Sequence, residues 1–344
     1  MTQLGAWRLP PVLLPDGEAG PLWVRQGALT TTPVPRAPLL PGRYALPGLV
    51  DAHAHITLVD RQPADAAAGA RNLLRLRDQG VLLVRDVGAP QSATLDLETQ
   101  PELPTLLAAG RWHAPEDSFY GPYHRPVPAA ALVPSALTEM ARGATWIKVI
   151  ADWTTPELSY PVDALRAMVE RVHAAGGRVA AHTQWEGVRM VVEAGVDSIE
   201  HGCRLDRETL ALMAERAVAW TPTLSAFNAP LAPDARPDLI ERREEVLANY
   251  RAMIPTAHRL GVTLLAGTDT VGTVVDEVRQ LIDYGLSPLD ALRAATTAAR
   301  AFLGRPALTD GAPADLVTFE DDPREDPDVL RWPVAVVLGG RRFA

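Results

Sequence analysis

Short apolar runs rich in β-branched residues alternate with amphipathic helical segments through the middle of the chain. Eight of these runs are predicted strands, at residues 47–52, 81–86, 105–109, 145–151, 178–182, 198–201, 217–223 and 262–268. Helical periodicity fills most of the intervals and the stretch after the last strand, at residues 64–79, 161–175, 185–194, 207–216, 239–260, 274–284 and 288–303. This alternation over about 250 residues predicts an α/β fold in which a parallel sheet closes into a (β/α)8 TIM barrel.

The two ends of the chain do not follow this alternation. Residues 1–46 are rich in proline and glycine, and strand-like pieces return near the end at residues 315–319 and 334–338. We expect the ends to pair into one small β-sandwich domain, made of residues 1–46 plus 304–344, beside a barrel domain at residues 47–303. An open doubly wound sheet is the competing fold, but no Gly-x-Gly-x-x-Gly motif follows an early strand.

Composition narrows the class of protein. With 47% hydrophobic and 22% charged residues, the chain is typical of soluble globular proteins, and its net charge of -9 gives no reason to expect nucleic acid or an anionic membrane as a partner. No run reaches the roughly 18 apolar residues of a membrane span, and no signal peptide is evident. The single cysteine, Cys203, suits a reducing compartment. We therefore expect a cytoplasmic protein with a small-molecule substrate, and homo-oligomerisation is left open.

Residues able to bind metal come at the carboxyl ends of five predicted strands. In an extended segment alternate side chains point the same way, so His53 and His55 can reach one ion together. The other strand ends supply Lys148, His182, His201 and Asp269. Functional side chains of a (β/α)8 barrel lie on this rim, and imidazole nitrogen and carboxylate oxygen suit zinc and similar divalent ions. The six residues together predict a metal site.

The single lysine of the chain points to a particular kind of metal site. Lysine and arginine number 33, and only Lys148 is a lysine. A neutral lysine amine can add carbon dioxide and become an anionic carbamate, whereas arginine hardly deprotonates. Such a group can bridge two ions roughly 3.5–4 Å apart that share a hydroxide. Because catalytic zinc usually keeps three protein ligands and an open position, we interpret the six residues as a site for two divalent ions, with zinc as the expected metal.

An ordered set of motifs covers nearly the whole chain. It comprises the Leu-Pro-Gly-Leu-Val-Asp-Ala-His-Ala-His run at residues 46–55, Lys148, His182, His201, the Gly-Thr-Asp at residues 267–269 and the Gly-Ala-Pro-Ala-Asp-Leu-Val at residues 311–317. This set resembles the amidohydrolase superfamily. Residues 84–88, 198–202 and 221–224 are similar to its imidazolonepropionase-like branch, in which the members with a strand-4 lysine include proline and arginine dipeptidases. Lys148 argues against imidazolonepropionase itself, a one-metal enzyme without that lysine.

The resemblance implies a role for each of these side chains. His53 and His55 match the ligands of the more buried ion, and His182 and His201 match those of the more exposed ion. Lys148 matches the carboxylated bridging lysine. Asp269 matches the aspartate that ligates metal and shuttles protons, so it is the expected catalytic residue.

Two loops depart from the dipeptidase pattern. Those relatives usually have Gly-Gly-His after strand 3, where this chain has Gly-Pro-Tyr-His at residues 121–124, and they often have a tyrosine after strand 7, where this chain has Ser225 and Phe227. A substrate carboxylate would therefore be held differently here or be absent. Side chains just beyond the strand ends are the predicted substrate contacts: Tyr123, His124 and Trp153.

These features predict a binuclear hydrolase that cleaves a small amide bond, in an N-acyl amino acid or a dipeptide-like substrate. A hydroxide shared by the two ions would attack the carbonyl, and Asp269 would take its proton and deliver it to the leaving group. Lactone, ester or carbamate hydrolysis on the same site is the alternative, as is a one-metal deaminase. A non-catalytic barrel is disfavoured because all six ligand positions are filled.

Overall fold

A computed structural model of the protein describes residues 5–13, 15, 21–121 and 123–343. Pro122, which belongs to the predicted substrate loop, lies outside the described residues. Within them, no helix is long and apolar enough to cross a membrane. The fold is α/β, as the alternation of strand and helix predicts.

The strands fall into a head, a parallel middle and a tail. Those of the described residues are β1 (Trp7–Arg8), β2 (Val12–Leu13), β3 (Trp23–Arg25), β4 (Ala28–Thr30), β5 (Tyr44–Pro47), β6 (Leu49–Ala54), β7 (Leu58–Val59), β8 (Gln62–Pro63), β9 (Val81–Asp86), β10 (Thr105–Ala108), β11 (Trp112–His113), β12 (Trp146–Ile150), β13 (Arg178–Thr183), β14 (Ser198–His201), β15 (Ala219–Thr221), β16 (Leu316–Phe319), β17 (Ala335–Leu338) and β18 (Arg341–Arg342).

The helices lie between and after the parallel strands. They are α1 (Ala66–Asp78), α2 (Leu132–Ala141), α3 (Val162–Ala174), α4 (Val188–Glu193), α5 (Arg207–Glu215), α6 (Leu224–Asn228), α7 (Pro237–Leu260), α8 (Val274–Asp283), α9 (Pro288–Ala294) and α10 (Thr297–Phe302). Several begin at a capping side chain: Asp65 accepts a hydrogen bond from the third residue of α1, and Thr273 forms a capping box at the start of α8. These caps satisfy N–H groups that have no partner within a helix.

Strands from both ends of the chain share one sheet. β16 of the tail pairs antiparallel with β5 of the head, in a sheet of order β18-β17-β16-β5-β2. β1, β3 and β4 form a second sheet. Apolar side chains from head and tail, among them Leu9, Val24, Leu316 and Val337, make a buried cluster of their own. This arrangement joins segments about 270 residues apart.

Apart from β7 and β8, which pair antiparallel in a sheet of their own, the middle strands are parallel and follow one another in chain order. β6, β9 and β10 form one sheet, and β11 to β15 form another. The predicted eighth strand, residues 262–268, has no regular ladder in the described structure. Single bridges instead connect Leu264 to Trp220 of β15, and Asp269, the residue after the predicted strand, to Ala54 of β6. Backbone bonds from Leu265 to Trp220 and from Ala52 to Ala266, each 2.9 Å, connect it to both neighbours.

One predicted helix is divided in two. Residues 288–303 form α9 and α10 because Thr296 leaves the helical conformation, with φ -140° and ψ -100°. Its hydroxyl donates to the carbonyl of Leu292 at 2.5 Å, which stabilises the break.

Candidate metal centre

The six predicted ligands line one cavity of about 340 Å³ at the carboxyl ends of the parallel strands. They are His53, His55, Lys148, His182, His201 and Asp269. Adjacent strands are in register here, with Ile150 opposite His182 and Thr183 opposite His201. Because parallel strands end at the same edge, side chains more than 200 positions apart in the sequence meet in one place.

The imidazole rings stand side by side. The ring centroid of His201 lies 4.4 Å from that of His182 and 5.0 Å from that of His53. Nε2 of His55 is 3.4 Å from Oδ1 of Asp269. Candidate ligand atoms of His53, His55 and Asp269 all lie within 4.8 Å of one another, so these three can hold a single divalent ion.

Hydrogen bonds turn His53 and His55 towards the cavity. Nδ1 of His55 lies 2.8 Å from the carbonyl of Gly88, and Nδ1 of His53 lies 2.6 Å from Oε2 of Glu200. Both partners are acceptors, so each Nδ1 carries the proton and each Nε2 keeps its lone pair. A neutral imidazole with a free Nε2 lone pair is the form that binds a metal.

A hydrogen bond to a threonine gives His201 the same neutral form, with the proton on Nδ1. Nδ1 of His201 lies 2.7 Å from Oγ1 of Thr223, whose own proton is donated to the carbonyl of Pro222 at 2.7 Å. The threonine oxygen therefore accepts from Nδ1, and Nε2 of His201 keeps its lone pair. His201 and Thr223 both have left-handed backbones, with φ of 65° and 52°. Strained conformations of this kind concentrate at functional sites.

Glu200 connects the site to the interior of the parallel strands. Its Oε1 accepts from Arg85 at 2.7 Å and from Ser198 at 2.5 Å, while Oε2 bonds to His53. Burial acts to raise the pKa of Glu200, but the charges of Arg85 and Lys148 and the hydrogen bond from Ser198 together outweigh burial, and the pKa lies below its usual value. Glu200 is therefore an anion that neutralises Arg85 and orients His53.

Three side-chain nitrogens of the site are buried without a hydrogen-bond partner among the described residues. Lys148 is 1% exposed, and in the described part of the chain its Nζ has no hydrogen-bond partner. Nε2 of His53 and of His182 are likewise buried without a partner among the described residues. Burial lowers the pKa of Lys148 to about 8, with Glu200 opposing that shift. Unpartnered buried nitrogens are costly, so the donor set fits divalent cations.

Asp269 joins the site from a tight turn. Its backbone N–H donates to the carbonyl of His53 at 2.7 Å, and its φ is 57°. Thr268, beside it, donates to the carboxylate of Asp51 from its hydroxyl at 2.6 Å and from its backbone N–H at 3.1 Å. Burial raises the pKa of Asp269 to about 6, and the charges of Lys148 and Arg61 oppose this. Asp51 thus holds in place the segment that carries Asp269.

Aromatic rings form much of the remaining wall: Trp112, Phe119, Tyr120, Tyr123, Trp153 and Phe227. The Trp153 ring centroid lies 5.2 Å from that of His182 and 5.0 Å from that of Phe119. Tyr123 and Trp153, two of the predicted substrate contacts, thus face the cavity beside the candidate ligands. Arg61 and Gln184 add polar groups to the same lining.

His124, the third predicted substrate contact, is placed differently. Its ring nitrogens lie 3.1 Å and 3.3 Å from the carbonyls of Tyr120 and Pro115. His124 is not among the described residues that line the cavity. Its ring packs against Phe119, which does line the cavity. Its role in substrate binding stays a prediction.

Several residues of the site carry no motif that identifies them in the sequence. Glu200 directly precedes His201, and Asp51 lies two positions before His53, so proximity to predicted ligands was the available signal for both. Phe119 and Arg61 had no such signal, because they lie in loops without a periodic pattern.

Comparison with known proteins gives consistent matches. A family model described as amidohydrolase family matches residues 44–342. An uncharacterized protein of Mycobacterium tuberculosis is 36% identical over 347 residues, covering 96% of this chain and 94% of that protein. A putative prolidase from Bifidobacterium longum has a similar structure, with a TM-score of 0.87, 26% identity, and coverage of 99% of this chain and 95% of that one. The ochratoxinase of Aspergillus niger has a TM-score of 0.85 at 20% identity, covering 98% and 96% of the two chains.

Proposed function

The chain belongs to the amidohydrolase family and is a hydrolase of carbon–nitrogen bonds, and from this premise we propose that it uses two divalent metal ions to cleave a small amide bond. The expected substrate is an N-acyl amino acid or a dipeptide-like molecule. One observation carries the proposal: three buried nitrogens, on His53, Lys148 and His182, face one cavity with no partner among the described residues. Such nitrogens stabilise the fold only when a ligand satisfies them.

The candidate ligands divide into two groups. His53, His55 and Asp269 would hold one ion, and His182 and His201 would hold the second. Lys148, as a carbamate formed from its neutral amine and carbon dioxide, would bridge the two with release of one proton. Zinc is the proposed metal because imidazole and carboxylate ligands suit it. The chemistry that such ions supply when bound is polarisation of a carbonyl and activation of water.

The chain's own residues would position the substrate and move its proton. Asp269 faces the cavity with a carboxylate oxygen that can accept a proton from the attacking water and donate it to the leaving amine. The rings of Trp153 and Tyr123 would hold the substrate and reduce access of bulk water. Glu200 and Thr223 would keep the histidine lone pairs directed at the cavity throughout.

The proposal extends to the architecture around the site. We propose that the parallel strands form one closed (β/α)8 barrel, which the single bridges of residues 262–269 to β15 and β6 support. Residues 47–303 would be the barrel domain, and residues 1–46 plus 304–344 a small β-sandwich domain, which the pairing of β5 with β16 supports. We also propose a cytoplasmic location and no nucleic-acid or membrane partner.

The decisive experiment combines metal analysis with removal of the amine. Elemental analysis of the purified protein should give about two ions per chain, and a panel of N-acyl amino acids should be hydrolysed. Lys148→Met, which keeps an apolar stem but no amine, should lower the metal content towards one or none. In Lys148→Ala, short carboxylates should restore part of the activity by replacing the carbamate. His173→Gln, a histidine of α3 half-exposed on the surface, is the matched control and should change neither value.

The outcomes separate the alternatives. One ion per chain, unchanged in Lys148→Met, would contradict the two-ion site and favour a one-metal deaminase. Two ions with hydrolysis of lactones, esters or carbamates but of no amide would keep the site and replace the substrate class.

A further inference from the structure

Arg61 lies at the tip of a two-residue hairpin beside the cavity. The hairpin joins β7 to β8, and its two turn residues, Asp60 and Arg61, have φ of 48° and 59°. Turns of this type normally use asparagine or glycine, because other side chains are strained there. The hydroxyl of Tyr123 donates to the carbonyl of Arg61 at 2.5 Å and fixes the tip against the aromatic wall. An arginine thus occupies a backbone position that disfavours it.

Arg61 lines the cavity, and its guanidinium has no fixed ionic partner among the described residues. Arg61 is exposed and lines the cavity together with Asp269 and Tyr120. No carboxylate of a described residue lies within ion-pair distance of its guanidinium, although its charge is felt by both Asp269 and Tyr120. A guanidinium has five donors in a planar fork that matches a carboxylate. Arg61 is therefore available to an anionic group of a bound molecule.

Aromatic rings line the part of the cavity near His182. Trp153 and Phe119 lie edge to face at 5.0 Å, and their centroids are 5.2 Å and 6.5 Å from that of His182. Tyr120 continues the wall to the mouth, with 54% of its surface exposed and its ring 4.8 Å from that of Trp153. An aromatic ring of a ligand would gain both apolar burial and edge-to-face contacts here.

We propose that Arg61 binds a carboxylate on the amine half of the substrate, while the rings of Trp153 and Phe119 bind an aromatic acyl group. The substrate class is then an N-aroyl amino acid, and this inference rests on the amide hydrolysis proposed above. The orientation follows from Asp269, which as the donor to the leaving amine requires that amine nearby. Arg61 lines the same cavity, and its charge acts on Asp269. The acyl half of the substrate would then lie near His182.

The dimensions of the cavity limit the size of the substrate. About 340 Å³ is near the lower end of the roughly 300–1,000 Å³ range of small-molecule sites. That volume suits one aromatic ring joined to one small amino acid. Among the described lining residues Arg61 is the one arginine, and a single guanidinium without an ionic partner matches one carboxylate rather than a polyanion.

Binding of uncleavable ketones tests the inference without hydrolysis. 4-Oxo-4-phenylbutanoate has the shape of N-benzoylglycine with a methylene in place of the amide nitrogen. Its carboxamide lacks the charge, and 4-oxopentanoate lacks the aromatic ring. By calorimetry on the metal-loaded protein, we expect the phenyl acid to bind about tenfold or more tightly than either of the other two, as charge-assisted hydrogen bonds and ring burial would give.

Arg61→Gln identifies the residue responsible. This variant should bind the phenyl acid and its carboxamide equally, and Arg61→Lys should retain part of the difference. Arg36→Gln is the matched control, because Arg36 is also exposed and has a left-handed backbone, with φ of 60°, but does not line the cavity. It should bind all three ketones as the unaltered protein does.

Hydrolysis of N-benzoylglycine, measured in parallel, keeps the two proposals distinct. Charge-dependent binding that Arg61→Gln abolishes, without cleavage of any amide, would support the role of Arg61 and overturn the proposed hydrolysis. Equal binding of the phenyl acid and its carboxamide would overturn the role of Arg61, whether or not amides are cleaved. Equal binding of 4-oxopentanoate and the phenyl acid would overturn the aromatic half of the substrate class.

Discussion

Oε2 of Glu200 lies 2.6 Å from Nδ1 of His53, and neither side chain is reached by solvent. The same carboxylate neutralises Arg85, whose guanidinium is fully buried and also bonds to the carbonyl of Ala52. One carboxylate thus contacts both a buried arginine in the interior of the parallel strands and a residue of the candidate metal site. Stability and ligand orientation are coupled here, because among the described residues Glu200 is the carboxylate bonded to Nδ1 of His53, and it is also the one paired with Arg85.

Glu200→Gln should weaken both metal binding and the stability of the fold. A neutral amide can accept from only one of His53 and Arg85, which leaves the other without its partner. We expect metal affinity to fall about 10- to 100-fold and the free energy of unfolding to fall by roughly 3–5 kcal/mol. Chelator competition and urea denaturation measure the two effects.

The matched control is Glu193→Gln, which removes a carboxylate paired with Arg189 on the surface of α4. Its effect on unfolding should be no more than about 1 kcal/mol. Unchanged metal affinity in Glu200→Gln would show that the carboxylate does not orient His53.

Thr223→Val should lower metal binding with little change in shape. Valine has nearly the same volume and branching as threonine, so the left-handed backbone stays equally strained, but Nδ1 of His201 loses its acceptor. The proton can then move to Nε2, which would remove the lone pair directed at the cavity. We expect metal affinity about tenfold or more below that of the unaltered protein, measured by chelator competition.

Thr223→Ser restores the hydroxyl and should restore most of the affinity. If the valine and serine variants bind metal equally well, the threonine does not set the tautomer of His201.

The strands and the candidate ligands could be predicted from the sequence for the same physical reason. Parallel strands are buried on both faces, so they appear as continuous apolar runs, and polar residues at their carboxyl ends then stand out. His182 and Lys148 were found in this way. Residues 262–269 were less predictable, because an irregular segment that bonds to its neighbours through single bridges has the same apolar pattern as a regular strand.

The partners of the ligands were harder to predict. Glu200 and Asp51 lie in the interior on strands whose charged residues could equally belong to a ligand set, and only the packing shows that they bond to His53 and Thr268. The aromatic wall lies in loops, where no periodicity relates sequence to position. The break at Thr296 depends on one side chain bonding to its own backbone, which a helical pattern does not reveal.

Gly267→Ala should disturb the site through a steric clash. A Cβ at this position would lie 2.6 Å from Cβ of His53 and 2.6 Å from Cγ2 of Thr221. Neither atom is at the end of a flexible chain, so the segment carrying Asp269 must move away from β6. We expect a loss of roughly 1–3 kcal/mol in the free energy of unfolding, together with weaker metal binding.

Gly121→Ala is the control for adding a methyl group, since no described atom lies within 4 Å of a Cβ there and its φ is not left-handed. It should leave the free energy of unfolding and metal affinity unchanged. A Gly267→Ala variant with the stability and metal content of this control would mean that residues 262–269 accommodate displacement freely.

Asp152 should make the stability of the protein depend on pH. Its buried carboxylate accepts from the backbone N–H of Gln184 at 2.6 Å and of Trp185 at 3.3 Å, and burial raises the pKa of Asp152 to about 7. Near Asp152, Arg242 opposes this shift and Glu186 adds to it.

Below about pH 4 the carboxyl holds its proton in both the folded and the unfolded chain, so its contribution to stability is fully present. As the pH rises from about 4 towards 7, the unfolded chain releases the proton and the folded chain retains it. The contribution is therefore lost across this window, by at most about 1.4 kcal/mol for each pH unit.

Asp152→Asn removes the titrating group, so the free energy of unfolding of this variant should fall less steeply between pH 5 and 7 than that of the unaltered protein. Urea denaturation at several pH values measures the two slopes, with Asp163→Asn, an exposed carboxylate at the start of α3, as the control that keeps the original slope. Equal slopes in the unaltered protein and Asp152→Asn would show that the folded chain ionises Asp152 as readily as the unfolded chain does, with the two backbone N–H groups outweighing burial.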